Sequence, residues 1–116
     1  MDRLLGTAKD LMESVAGHVL FIKTGQTQFR QDFATLLGQA FIQLDMKTPH
    51  HKKVPNDPVM ADYERSLYDM AITLNRLRNK EGTGHGRLFL PSVGDTVARN
   101  AIQSMGVISG YMLDRL

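Results

Sequence analysis

The chain contains no cysteine and no tryptophan, and only four prolines among 116 residues. Without cysteine there can be no disulfide framework, no thiolate nucleophile and no Cys-based zinc or iron–sulfur centre. No apolar run approaches the roughly 20 residues that a membrane-spanning helix needs. The opening MDRLLGTAKDLMES carries charges within its first ten residues and lacks the apolar core of a signal peptide. These absences together give the expectation of a soluble, cytoplasmic protein. Charge is also modest. Fourteen Lys and Arg stand against twelve Asp and Glu, a net +2 with histidine neutral, and the pI is about 9.1. Such a balance permits an anionic partner without demanding one, and it lacks the dense basic patch of a dedicated DNA binder.

What is present points to helix. Hydrophobic residues make up 42% of the chain, enough for one core in a single domain spanning 1–116. Ala, Leu, Met, Gln, Lys and Arg are frequent, and all favour helix. Small domains have much surface for little interior, so a second copy would add burial.

Spacing divides the chain into four amphipathic helices. Leu4, Ala8, Leu11, Val15 and Val19 recur at steps of three and four, predicting a helix from about Arg3 to Ile22 that stops at Gly25. Phe29, Phe33, Leu36, Leu37, Ala40, Phe41 and Leu44 predict a second from about Gln28 to Leu44. MKTPHHKKVPNDP then reads as a loop. Asp57 as N-cap and Pro58 at the first helical position predict a third helix. Its expected inner seam is Met60, Tyr63, Leu67, Met70, Leu74 and Leu77. That helix should fail near Gly82-Thr83-Gly84. A fourth, capped by Ser92 or Asp95, should run to the end with Ala98, Ala101, Met105, Ile108 and Met112 inward. Phe89-Leu90 is too short for a strand, and no internal repeat is visible. The predicted fold class is all-α, a four-helix up-and-down bundle.

The chemically informative stretch is Arg78-Asn79-Lys80-Glu81-Gly82-Thr83-Gly84-His85. Arg78 falls in the last turn of the third helix, whose partial negative charge favours cations. The two glycines let the chain bend back, so that His85 can approach Arg78. Histidine moves protons near neutral pH. Arginine offers a rigid fork to phosphate oxygens and stabilises charge developing on them. If the RNA 2′-hydroxyl is the nucleophile, no metal or other cofactor is needed, and a 2′,3′-cyclic phosphate is left.

The sequence LNRLRNKEGTGHG following a long helix resembles the HEPN superfamily, whose hallmark is Arg, four to six residues, then His. Arg78 and His85 have six between them, and Asn79 holds the polar position after the Arg. The RN..G.GHG form and the opening AKDLMESVAGHVL are similar to the C-terminal domain of bacterial abortive-infection proteins. The resemblance spans most of the chain, although its specific part is about nine residues. It implies a helical bundle, commonly a homodimer, and metal-independent endoribonuclease activity in phage defence or toxin systems. Its active site would form where two motifs face each other across the dimer. It further implies catalytic roles for Arg78 (phosphate binding), His85 (proton transfer) and Asn79 (orientation). Gly84 and Gly86 would permit the tight backbone, Lys80 and Arg87, with Arg76 nearby, would add positive field around RNA, and Glu13 would support the site. Such domains often follow an N-terminal sensor region, and an antitoxin is a further expected partner. The alternative expectation is a HEPN-like module that binds RNA, a nucleotide or a partner protein without chemistry.

Other features have plainer readings. His18, between Val15 and Val19, reads as a packed or half-exposed residue. His50-His51-Lys52-Lys53 offers cations to RNA phosphates but reads first as a solvated loop. Adjacent loop histidines lack the i, i+4 geometry of a helical zinc pair. Met60, Met70, Met105 and Met112 read as core filling.

Overall fold

The computed structural model describes residues 2–82 and 91–116, with side chains described for 7–77 and 95–116. Four helices follow one another: α1 (Asp2–Thr24), α2 (Phe33–Gln43), α3 (Val59–Gly82) and α4 (Pro91–Arg115). Among the described residues there is no strand. The expected all-α bundle is the observed fold. α1 is its central member and packs against each of the other three.

The core is built from α1 residues Ala8, Met12, Val15, Ala16, Val19 and Leu20 meeting buried residues of α2 and α4. Met12, Leu37, Phe41, Met46, Met105, Ile108 and Met112 are its largest fully enclosed side chains. Removing each from water contributes roughly 1.5–3 kcal/mol before entropy is counted. The predicted α4 face is buried in full, from Ala98 to Met112. On α1 the stripe lies slightly off the expected one: Leu11 is exposed and Met12 is buried.

Three boundaries depart from the sequence reading. α2 begins at Phe33, five positions after the expected Gln28, because Asp32 caps it; the Thr35 amide donates to Asp32 Oδ1 at 2.8 Å. Phe29 lies outside the helix, its ring against Gly17 of α1, where a Cβ would stand 3.2 Å from the ring. α2 ends in a Schellman arrangement. The Met46 amide donates to Phe41 O and the Asp45 amide to Ile42 O, with Asp45 at φ 59°. At the start of α3, Asp57 does not act as the expected cap. Its Oδ2 receives the Val54 amide and, at 2.9 Å, the Arg65 guanidinium. Finally, α4 starts at Pro91, so Ser92 and Asp95 lie within the helix and not at its cap. Proline at the first helical position forfeits no hydrogen bond.

The α3 seam needs the largest correction. Leu67 is buried, but Met60, Tyr63 and Met70 are 51%, 44% and 44% exposed. The inward row is instead Ala61, Glu64, Leu67, Tyr68 and Ala71. A charged residue takes an interior position because its partners are there. Glu64 Oε2 accepts from the Tyr111 hydroxyl at 2.8 Å and from Arg115 at 2.9 Å, and its Oε1 accepts from the Lys47 amide. Arg115 also donates to the carbonyls of Leu44 and Asp45. One carboxylate thus ties the start of α3 to the end of α4 and the exit of α2, and α3 and α4 run antiparallel.

The loop between α2 and α3 is partly fastened. The Thr48 amide donates to His51 Nδ1 at 3.0 Å, Lys53 pairs with Asp62, and the His50 ring meets Tyr68 edge-on.

Candidate functional site

The motif begins on a regular helix. α3 is continuous through Gly82, so the backbones of Arg78, Asn79 and Lys80 belong to its final turns. The expected failure of the helix at Gly82-Thr83-Gly84 falls at the edge of the described residues, since Thr83 and Gly84 lie outside them. Gly84, His85, Gly86 and Arg87 lie outside the described residues, as do the side chains of Arg78, Asn79 and Lys80. α4 resumes at Pro91, so the connection that carries the second half of the motif is short. It joins two helices that pack on each other.

The approach to the motif along α3 carries polar groups on its inward side. Glu64, Tyr68, Ala71 and Asn75 follow one another at steps of four, three and four on the inward side. The next step of three falls on Arg78. Asn75 is half-buried, and its Oδ1 is enclosed without a hydrogen-bond partner among the described residues. An unpaired enclosed carboxamide oxygen costs about 1–3 kcal/mol, so its place one turn before Arg78 and Asn79 asks for a donor. The sequence reading missed Asn75, because an Asn between Leu74 and Arg76 carries no motif of its own. Arg76 is exposed.

Two further named residues lie on α1. Glu13 is on α1, paired with Lys9 at 3.2 Å. His18, also on α1, is exposed and not packed. Both border an open cleft of about 740 Å³ between α1 and the segment that leads into α2. Gly17 and Leu36 contribute to it, and Phe21 and Phe29 supply rings.

Electrostatics in the described part are local. The Thr35 amide holds the Asp32 carboxyl below its ordinary value of 3.8, and the Arg65 guanidinium does the same for Asp57. Burial, followed by the hydrogen bond to Glu64, raises the Tyr111 phenol. Among the described residues no cluster of three or more His, Asp or Glu is placed to hold a metal ion, and no helix is long and apolar enough to cross a membrane.

Comparison with known proteins gives one result. The Abi_C family model, described as a HEPN-like domain, matches residues 1–116. No curated protein and no solved structure matches the chain.

Proposed function

Because this chain belongs to the HEPN-like Abi_C family over its whole length, we propose that it is a metal-independent endoribonuclease of bacterial phage defence. The observation that carries the reading is the placement of Arg78-Asn79 at the end of α3, with His85 in the short connection to α4. His85 takes the proton from the RNA 2′-hydroxyl or delivers one to the leaving 5′-oxygen. Arg78 bears the charge that grows on the phosphate oxygens, and Asn79 orients it. Lys80 and Arg87 hold the flanking backbone, with Gly84 and Gly86 keeping the chain close to it. The nucleophile comes from the substrate, so DNA is not cut.

In this reading two copies bring their motifs to a shared cleft. The apolar residues left outside on α3, with Val107 of α4 at 58% exposure, support a second copy, since such surface is seldom left in contiguous patches. The experiment is RNA incubation in EDTA with end-group analysis. The expected products are 2′,3′-cyclic phosphates. His85→Ala should lose about 10²–10⁴-fold in rate, the usual share of general acid–base catalysis, and Arg78→Ala about 10²–10³-fold. Equal degradation by wild type and His85→Ala would assign the cleavage to a contaminant and end the proposal. The mild net charge favours a second reading, a HEPN-like module that binds RNA, a nucleotide or a partner protein and leaves RNA intact. A mobility shift without new RNA ends would select it.

A further inference from the structure

The cleft between α1 and residues 25–31 is chemically one-sided. Among the described residues its titratable lining consists of Asp10, Glu13 and His18, with no Lys or Arg, in a chain whose net charge is +2. Lys9 neutralises Glu13 in part through a half-buried i, i+4 pair. Asp10 has no ion pair among the described residues.

The uncharged groups lean the same way. The Gln26 carboxamide nitrogen donates to Gln28 O at 2.8 Å, and that of Gln31 donates to Gln39 Oε1 at 2.6 Å. Each glutamine has therefore turned a donor to the protein, and its Oε1 keeps no donor among the described residues. Two carboxylates and two carboxamide oxygens thus offer acceptors, a pattern that calls for a donor-rich ligand. Phe21 and Phe29 add exposed ring surface. Phe29 is brought there by Gly17, whose missing Cβ lets the ring lie against the α1 backbone.

We propose that this cleft binds the guanidinium of an arginine on an extended segment of a partner protein. Guanidinium carries five N–H donors and no acceptor, is always charged, and stacks on aromatic faces. It is the side chain that matches acceptors beside rings. A phosphate would meet an Asp10 carboxylate without an ion pair among the described residues and a Glu13 that Lys9 only partly neutralises, which disfavours RNA as the occupant. A volume of about 740 Å³ exceeds what one side chain fills, which leaves room for the residues flanking the arginine.

The test is an NMR titration of the full ¹⁵N-labelled chain with the peptide acetyl-Gly-Arg-Gly-Arg-Gly-amide. Saturable shifts are expected at the Gly17, His18, Phe21 and Phe29 amides. The same peptide with citrulline, which keeps the shape and loses the charge, should bind at least about tenfold more weakly, as should the Asp10→Asn/Glu13→Gln variant to the arginine peptide. Ten-fold corresponds to about 1.4 kcal/mol. Phe21→Ala, a change at an exposed ring, should weaken binding several-fold and gives a second reading if the double variant fails to fold. Equal binding of the citrulline peptide would overturn the proposal, as would shifts confined to other surfaces. Free argininamide binding as tightly as the peptide would also overturn it, by making the ligand a small molecule. So would single-stranded RNA moving these amides where the arginine peptide does not.

Discussion

Single residues set the turns that carry this fold, and Asp45 is the clearest case. It occupies the left-handed region at φ 59° to complete the Schellman end of α2. Glycine is the usual occupant there, because any Cβ crowds the neighbouring carbonyl. Asp is among the better tolerated alternatives. The Asp45 side chain makes no hydrogen bond among the described residues, and Arg115 takes its backbone carbonyl, which any residue supplies. Asp45→Gly should therefore stabilise the chain by about 0.5–1 kcal/mol. Urea denaturation would show this as a higher midpoint with unchanged slope; a lower midpoint would mean that the Asp side chain has a role that its contacts do not reveal. The sequence concealed this position. Nothing in Leu44-Asp45-Met46 announces a positive φ where glycine is absent, although Gly25, at φ 81° after α1, was legible as a stop.

At the scale of elements, spacing located all four helices and missed facts that depend on partners. The α4 face was legible because its buried positions are small or apolar throughout, from Ala98 to Met112. On α3 the same rule failed. Counting large apolar residues selected Met60, Tyr63 and Met70, whereas the interior takes Glu64, held by Tyr111 and Arg115, 47 and 51 residues downstream. Periodicity cannot register a carboxylate that becomes acceptable only when two distant donors arrive. The motif behaved in the opposite way. Arg78 and His85 were nominated from residue type and order alone, and His85 and the Arg78 side chain lie outside the described residues. Asn75 was not, because its interest lies in an enclosed oxygen without a partner among the described residues.

The start of α2 gives an element-scale prediction. Asp32 caps it, and accepting the Thr35 amide holds its carboxyl below 3.8. The folded value is depressed, so the contribution to stability is complete above the unfolded value. It is lost as pH falls through that value toward the folded one. Asp32→Asn keeps a capping side chain without the titration. Its unfolding midpoint between about pH 5 and pH 2.5 should fall less steeply than that of wild type. Identical slopes would show that the cap does not couple to protonation.

The whole molecule is a small bundle whose chain end is fastened and whose α3 surface is not. Arg115 joins α4 to Glu64 and to the exit of α2, which fixes the α3–α4 pair as one body. The connection bearing His85 spans that pair at the other end of α3. If catalysis needs two motifs, this pair must be presented to a second copy. Met60, Tyr63, Met70 and Val107 then supply the apolar surface for it. Ribonuclease rate per chain should therefore fall on dilution, once the concentration drops below the dimer dissociation constant. Val107→Asp, placed at an exposed helical position, should move that fall to higher concentration and leave the helical circular dichroism unchanged. A monomer by sedimentation that keeps a constant rate per chain at every dilution would show that one Arg78–His85 pair is sufficient. Activity that falls on dilution while Val107→Asp behaves as wild type would keep the pairing and move it to another face.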